Sequence, residues 1–355
     1  MQIICIIQKK VLPLQAQRFW KGIMRIAFTT ELPKEGFRRL VERGICDLSL
    51  PICDLPAEEL REVEVLVSTF DVKVSEAMIA SMPRLRLIAN FGAGYNNIDL
   101  EACRARGIRV TNTPQPVIEP TAELAFALMI DVARRVSEFD RMLRSHANDA
   151  NGENGDAPLN DVFGVMRNLS HSLYGKTLGI LGMGRIGQAL ARRAAASGMR
   201  IIYHNRHKIN DDALKALNGG NDEMVKYVDF QTLLQDSDFL SLNLPYTPEV
   251  HHIIGKPELG MMKRTAYLIN TARGAHVDEA ALVEALKSGI IAGAALDVYE
   301  HEPAVSSELL TLPNVVLSPH TGTGTWEGRI AMCENVCDNI IAFVENRPQA
   351  MDIVL

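Results

Sequence analysis

The chain has 355 residues, of which 47% are hydrophobic and 23% are charged, and its formal net charge at pH 7 is −6. This length is too great for one hydrophobic core and suits two domains of ordinary globular composition. The acidic balance and the lack of a Lys/Arg cluster argue against nucleic-acid binding, and no apolar stretch approaches the ~20 residues of a transmembrane helix.

Six cysteines are dispersed along the chain, with neither the spacing of a metal site nor the density of a disulfide-rich secreted protein. We therefore expect reduced thiols, a cytoplasmic location and no bound metal. Cys333 and Cys337 lie four residues apart on a predicted helix, where we expect them to pack in the core and not to form a disulfide.

Residues 1–23 are predicted to form an N-terminal extension, because their apolar run is too short for a signal peptide and no cleavage site follows it. From Met24 onward, short apolar runs alternate with helical segments, as in a parallel sheet covered by helices. The predicted strands of this first domain are 25–29, 64–68, 85–91 and 108–112, and its predicted helices are 33–43, 74–82 and 98–106.

A long predicted helix, 122–143, and a polar connection, 145–172, lead to a second alternation of strands and helices. Its predicted strands are 177–181, 199–203, 225–228, 239–244, 267–270, 292–297 and 315–318, followed by a last helix over 328–345. The order predicts two doubly wound parallel-sheet domains. We expect residues 24–118 and 322–355 to form one domain and residues 119–321 the other.

A glycine-rich turn at the start of the second domain carries the clearest chemical signal. The predicted strand 177–181 runs into Gly182, Gly184 and Gly187 with G-x-G-x-x-G spacing, and a long Ala-rich helix follows. Such glycines permit a tight turn, a close approach of the backbone to a pyrophosphate, and close packing of helix on strand. The pattern predicts a Rossmann domain that binds a dinucleotide at the helix amino terminus.

The end of the next predicted strand bears on the choice of nicotinamide cofactor. A carboxylate there would bind both ribose hydroxyls and repel a 2′-phosphate, but the sequence after Tyr203 continues His-Asn-Arg-His-Lys. The fork of Arg206 suits phosphate oxygens, and Lys208 adds positive charge. We therefore predict NADP(H) as the preferred cofactor, with NAD(H), bound through Asn205, as the alternative.

Polar side chains also follow three later strands of the second domain. Arg273 follows the strand 267–270, where a guanidinium can hold a substrate carboxylate and polarise a neighbouring carbonyl. His320 follows the strand 315–318, and an imidazole beside a carboxylate is suited to proton transfer near neutral pH. Because parallel strands share their carboxyl edge, we expect these groups to converge.

The residues alone leave open which carboxylate pairs with His320. The segment after the strand 292–297 offers Asp297, Glu300 and Glu302, and the residues alone do not choose between Glu300 and Glu302.

From Met24 onward the chain resembles the D-isomer-specific 2-hydroxyacid dehydrogenases, and among them most the glyoxylate and hydroxypyruvate reductases. The segments that carry the resemblance are FGAGYNNIDLEACRARGIRVTNTP, GKTLGILGMGRIGQALARRA, INTARGAHVDEAAL, AALDVYEHEP and SPHTGTGT. The resemblance implies a Rossmann domain, a flavodoxin-like substrate domain, a homodimer, and reversible reduction of a small 2-keto acid to the D-2-hydroxy acid.

The resemblance also implies roles for individual residues. Arg273 would bind the substrate carboxylate and keto oxygen, His320 would transfer the proton, and Glu302, by its spacing from Asp297, would pair with His320. The backbone N–H groups of Ala93 and Gly94 would bind the substrate carboxylate.

The cofactor contacts that the motifs and the resemblance imply cluster at the glycine turn and at strand ends. They are Gly182, Gly184, Arg185, Ile186, Gly187, Asn205, Arg206, Leu244, Pro245, Thr271, Ala272, Asp297 and Gly322.

Three other functions are compatible with the same fold. Within the enzymes, the chain could be a 2-ketogluconate reductase or a D-lactate-type dehydrogenase that uses NADH, because loops select the side chain of the substrate. Outside the enzymes, it could be a cofactor-sensing binding module similar to the related transcriptional corepressors. A panel of 2-keto acids assayed with both cofactors separates these alternatives.

Overall fold

The computed structural model describes residues 24–46, 55–149, 166–218 and 224–355. The chain divides into two compact units, one formed by the described residues up to Val117 together with Trp326–Leu355, the other by Ile118–Thr325. The predicted extension 1–23, and residues 150–165 of the predicted connection, lie outside the described residues.

The smaller unit is built on four parallel strands in the order β1-β2-β3-β4. All but the first residue of the last strand are buried, as expected of strands in a parallel sheet. The strands are β1 (Ile26–Phe28), β2 (Val65–Thr69), β3 (Leu87–Phe91) and β4 (Arg109–Thr111). Its first helices are α1 (Arg38–Glu42), α2 (Ala57–Leu60), α3 (Glu76–Ser81) and α4 (Leu100–Ala105).

The larger unit contains a seven-stranded parallel sheet in the order β11-β10-β9-β8-β5-β6-β7. The direction of winding reverses between β5 and β8, and in open α/β sheets ligands bind at the carboxyl edge beside such a reversal. The strands are β5 (Thr177–Leu181), β6 (Arg200–His204), β7 (Val225–Tyr227), β8 (Phe239–Leu242), β9 (Tyr267–Asn270), β10 (Gly293–Leu296) and β11 (Val315–Leu317).

Helices cover both faces of this sheet. Neighbouring strand residues point to opposite faces, so that Ile180 belongs to one hydrophobic cluster and Leu181 to another. The helices are α5 (Ile118–Arg134), α6 (Val136–Asp149), α7 (Arg185–Ala196), α8 (Asp211–Asn218), α9 (Phe230–Asp236), α10 (Lys256–Met261), α11 (Glu279–Lys287) and α12 (Ser307–Thr311), and α13 (Trp326–Val344) belongs to the smaller unit.

The predicted fold class, two parallel-sheet α/β domains of which one is a Rossmann domain, is confirmed. Among the described strands, the reversal that defines a doubly wound sheet occurs in the larger sheet. The described strands of the smaller sheet follow chain order. No helix in the described part of the chain is long and apolar enough to cross a membrane.

The prediction of one continuous helix over 122–143 is wrong. The helix ends at Arg134, Arg135 adopts a left-handed conformation with φ 57°, and a second helix begins at Val136. The carboxylate of Asp131 accepts hydrogen bonds from the backbone N–H and the hydroxyl of Ser137, so it caps the start of the second helix. No glycine or proline marks this break in the sequence.

Cys333 and Cys337 pack in the core of the smaller unit as free thiols. The Sγ atom of Cys337 donates to the carbonyl of Gly36 at 3.3 Å, and that of Cys333 lies 3.8 Å from the carbonyl of Pro33. Burial raises the pKa of the Cys333 thiol to about 12. Both cysteines are therefore packing residues with little thiolate character.

Candidate active site

The three glycines of the turn after β5 have different surroundings. Gly182 adopts φ +101°, and a Cβ atom there would lie 2.7 Å from the carbonyl of Asn243. A Cβ atom at Gly187 would lie 2.4 Å from the carbonyl oxygen of Gly182, whereas one at Gly184 would meet no atom within 4 Å. Gly182 and Gly187 are thus required by packing, and the open space is at Gly184.

Gly184 is also the N-cap residue of α7, a helix of 12 residues with no acidic side chain in its first turn. The N–H groups of a first helical turn have no partner within the helix and favour an anion. Arg185 and Ile186 lie in this turn. Open space, a positive helix end and a glycine backbone together fit the pyrophosphate of a dinucleotide.

The residues after β6 combine an internal contact with exposed positive charge. The side-chain oxygen of Asn205 accepts from the backbone N–H of Met183 at 2.7 Å, which ties this strand end to the glycine turn. Arg206 is exposed, and the ammonium of Lys208 lies 5.0 Å from the ring centroid of Tyr227. The strand end presents a cationic side chain and no carboxylate of its own.

A carboxylate that interacts with Arg206, that of Glu249, lies in the loop after β8. The pKa of Glu249 is lowered, chiefly by a hydrogen bond from Thr247 and to a smaller extent by the positive charge of Arg206. Leu244 and Pro245, two predicted cofactor contacts, begin the same loop.

The turn that carries Arg273 is shaped by Asn270, the last residue of β9. The Asn270 side chain accepts from the N–H of Ala272 at 3.0 Å and donates to the carbonyl of Arg273 at 2.9 Å. Gly274 packs on the backbone after β10 so closely that a Cβ atom would lie 1.9 Å from the carbonyl of Tyr299. The turn, which also holds the predicted contact Thr271, is therefore fixed against the next strand end.

Arg273 is a partly buried cation. Burial lowers the pKa of its guanidinium, and the negative charge of Glu302 opposes that shift. A guanidinium remains charged at any physiological pH. An anion that binds to Arg273 therefore replaces the water that the guanidinium loses on burial.

Asp297, at the end of β10, holds the loop after β11. Its two carboxylate oxygens accept from the backbone N–H groups of Thr321 and Gly322, both at 2.8 Å, and its carbonyl accepts from the N–H of His320. Burial raises the pKa of Asp297, and the bonds from the loop offset part of that rise. The predicted contact of Asp297 with the cofactor remains a prediction.

His320 and Glu302 form a hydrogen-bonded pair. The Nδ1 atom of His320 lies 2.7 Å from Oε2 of Glu302, and Oε1 of Glu302 accepts from the backbone N–H of Tyr299 at 2.9 Å. Burial raises the pKa of Glu302, but these two hydrogen bonds and the charges of His320 and Arg273 outweigh it, so the net pKa is lowered. Glu302 is therefore ionised across the pH range in which an imidazole gains or loses its proton.

The structure also separates the two glutamates that the sequence left open. Oε1 of Glu300 lies 2.6 Å from Nε2 of His252, and its Oε2 accepts from the N–H of Glu279 at 3.1 Å. Glu300 thus joins the loop after β8 to α11, and Glu302 is the partner of His320.

The predicted site residues fall into two groups. Arg273, Glu302 and His320, and all of the predicted cofactor contacts, belong to the larger unit, where they follow strands at the carboxyl edge. Ala93 and Gly94 belong to the smaller unit, directly after β3.

The sequence reasoning missed the residues that orient these groups. Asn270 shapes the Arg273 turn, and the Tyr299 hydroxyl donates to the carbonyl of Ser318 at 2.8 Å, which braces the segment before His320. Asn270 is a polar residue at the end of an otherwise apolar strand, and this position was a usable signal. Nothing in the sequence marks the Tyr299 contact.

A model of the family "D-isomer specific 2-hydroxyacid dehydrogenase, NAD binding domain" matches residues 126–322. The chain is also 45% identical over 325 residues to a glyoxylate reductase of Thermococcus litoralis, covering 90% of this chain and 94% of that one. The chain belongs to the D-isomer specific 2-hydroxyacid dehydrogenase family. It is an oxidoreductase with an NAD-binding domain.

Solved structures agree with this assignment. A glyoxylate reductase from Paecilomyes thermophila is similar with a TM-score of 0.75 and 34% identity, covering 91% of this chain and 96% of that one. An NADPH-dependent glyoxylate/hydroxypyruvate reductase from Sinorhizobium meliloti, in complex with NADP and malonate, has a TM-score of 0.75 and 32% identity, covering 91% and 94%.

Beside Arg273, the dehydrogenase buries a histidine. His276 is 0% exposed, and neither ring nitrogen has a hydrogen-bond partner within the described residues. Burial lowers its pKa to about 4, and the charge of Arg273 adds to this shift, while the nearby carbonyl of Pro245 opposes it. His276 is therefore neutral in the folded protein at neutral pH.

This neutral histidine makes folding stability depend on pH. Between the ordinary value of 6.5 and about 4, the unfolded chain takes up a proton that the folded chain does not, so stability falls as pH falls. We expect a decrease from pH 7 to pH 5 to destabilise the wild-type protein by about 2 kcal/mol more than His276→Leu. Denaturant unfolding at both pH values measures this.

The matched control is His207→Leu, which changes an exposed histidine. It should leave the wild-type pH dependence unaltered. Equal pH dependence of His276→Leu and the wild type would contradict the expectation.

Proposed function

We propose that this dehydrogenase reduces glyoxylate, hydroxypyruvate or a 2-keto acid of similar size to the D-2-hydroxy acid, and that it prefers NADPH to NADH. The observation that carries the proposal is the 2.7 Å hydrogen bond between His320 and Glu302, on the same sheet edge as Arg273. The named activities of the similar proteins support the substrate class.

The glycine turn and the first turn of α7 would hold the pyrophosphate of the cofactor, and Arg206 the 2′-phosphate. When bound, the reduced nicotinamide supplies the hydride that adds to the keto carbon. All other steps are assigned to side chains and backbone groups of this chain.

Arg273 would bind the substrate carboxylate through paired N–H groups and polarise the keto oxygen. The backbone N–H groups of Ala93 and Gly94 would donate to the carboxylate. As negative charge develops on the keto oxygen, the imidazolium of His320 would transfer a proton to it, which completes the hydroxyl group. Because Glu302 holds Nδ1, Nε2 is the nitrogen that delivers the proton.

Replacement of His320 tests the proton transfer. We expect His320→Ala to lower kcat for glyoxylate reduction by roughly 10²- to 10⁴-fold, the usual contribution of a general acid. Steady-state assays with saturating NADPH measure it, and Arg200→Ala, at an exposed residue of the opposite sheet edge, is the control that should keep full activity. Undiminished turnover by His320→Ala would contradict the assignment.

The cofactor preference depends on the exposed cation after β6. We expect Arg206→Ala to lower kcat/KM for NADPH by about 10- to 100-fold, because a charge-assisted hydrogen bond to phosphate is lost, and to leave kcat/KM for NADH little changed. Arg200→Ala is the matched control, since it removes an exposed arginine from the other end of the same strand. Equal losses with both cofactors, or a wild-type preference for NADH, would contradict the proposal.

We also propose that two copies associate through α6 and the segment before β5. Large apolar side chains are exposed there, at Val136 (54%), Leu169 (61%) and Tyr174 (79%). The guanidinium of Arg135 donates to the carbonyl of Leu169 at 3.2 Å, so helix and segment form one surface. A second copy of the same surface is the simplest partner that covers it.

Light scattering after size-exclusion chromatography tests this association. We expect a mass near twice the 39.2 kDa of one chain, and a shift toward the single-chain mass for Leu169→Glu. Leu310→Glu, at a leucine that is 64% exposed outside this surface, should leave the mass unchanged. A single-chain mass for the wild type at micromolar concentration would contradict the proposal.

A further inference from the structure

The loop after β3 has all three of its glycine and alanine carbonyls held by hydrogen bonds. The carbonyl of Gly92 accepts from the Asn90 amide and from the N–H of Thr113, both at 3.0 Å. The carbonyl of Ala93 accepts from the Asn112 amide at 2.8 Å, and the carbonyl of Gly94 accepts from the same Asn90 amide at 2.8 Å. Two asparagine side chains, with the Thr113 N–H at Gly92, therefore hold three successive carbonyls in place.

This arrangement also determines where the N–H groups point. In a trans peptide the C=O and the following N–H point in opposite directions. The N–H of Ala93 must therefore point away from the donors that hold the Gly92 carbonyl, and the N–H of Gly94 away from Asn112. Within the described residues neither N–H donates a hydrogen bond. Successive N–H groups of this kind form an anion-binding concavity.

The two asparagines are themselves fixed. Asn90 is 1% exposed, and its side-chain oxygen accepts from the hydroxyl of Ser68 at 3.0 Å. The backbone carbonyl of Asn112 accepts from the amide of Asn339 at 3.1 Å, and the Asn339 oxygen accepts from the N–H of Asp352 at 2.7 Å. The amides that hold the loop are thus anchored to β2 and to α13.

We infer that Asn90 and Asn112 are positioning residues for substrate binding, which hold the Ala93 and Gly94 N–H groups toward the substrate carboxylate. This inference rests on the proposed function, in which that loop binds the carboxylate of a 2-keto acid. Neither asparagine touches the substrate; both act through the loop backbone.

The test uses Asn90→Asp, which keeps the shape of the side chain and replaces the donating amide by a carboxylate oxygen. The Gly92 and Gly94 carbonyls then lose the Asn90 amide donor, and the loop is no longer held in place. We expect KM for glyoxylate to rise by about 10- to 100-fold, which is equivalent to one or two lost charge-assisted hydrogen bonds. KM for NADPH should stay at the wild-type value, and kcat should fall far less than KM rises.

Methyl glyoxylate, which lacks the carboxylate charge, separates positioning from general loosening. The ratio of kcat/KM for glyoxylate to that for methyl glyoxylate should fall in Asn90→Asp, because only the charged substrate uses the N–H groups. Asn112→Ala, which removes a single amide donor, should lower the same ratio by a smaller factor and serves if Asn90→Asp does not fold.

Arg106→Ala is the matched control. Arg106 also donates to main-chain carbonyls of the smaller unit, those of Ile79, Met82 and Pro83, but these lie before β3 at the other edge of the sheet. Its kinetic constants and substrate ratio should match those of the wild type, even if its melting temperature falls.

The outcomes distinguish the inference from the proposed function. If the wild type reduces glyoxylate and both asparagine variants keep the wild-type substrate ratio, the inference is overturned but the proposed function is not. A wild-type enzyme with no turnover of any small 2-keto acid overturns the proposed function. A parallel loss for glyoxylate and its methyl ester also overturns the inference, since it indicates a purely structural role.

Discussion

The carboxylate of Asp297 is the contact on which the arrangement of this site depends. Asp297 directly follows β10 and is almost fully buried, and both of its carboxylate oxygens hold the backbone of the loop after β11. This loop places His320 in a left-handed conformation with φ 54°, which costs free energy that the surrounding bonds must offset. Together with the bond from the Tyr299 hydroxyl to the Ser318 carbonyl, this anchor positions the imidazole relative to the residues that follow β10.

The chemistry follows from a division of roles among neighbouring strand ends. The end of β9 supplies a cation, the segment after β10 supplies a carboxylate, and the loop after β11 supplies an imidazole hydrogen-bonded to that carboxylate. The pKa of Glu302 is lowered despite burial because it accepts bonds from the imidazole and from the Tyr299 N–H. A carboxylate that stays charged can orient the imidazole through a full cycle of proton loss and uptake.

Much of this could be predicted from the sequence, because buried parallel strands are apolar runs that end at polar residues. The predicted strands 177–181 and 267–270 have the bounds that the structure shows. The break at Arg135 could not be predicted, since it depends on a side-chain cap and not on glycine or proline. Likewise, only the folded chain shows that Asn205 accepts from Met183, or that Glu300 pairs with His252.

The central claim is that Glu302 acts through His320, as one acid pair, and a double-mutant cycle tests it most directly. kcat for glyoxylate reduction would be measured for the wild type, Glu302→Gln, His320→Ala and the double variant, all at saturating NADPH. If the pair acts as a unit, the double variant is no slower than His320→Ala alone. Losses that multiply, so that the double variant is slower by the full factor seen for Glu302→Gln, would show that the two residues act independently and would contradict the account.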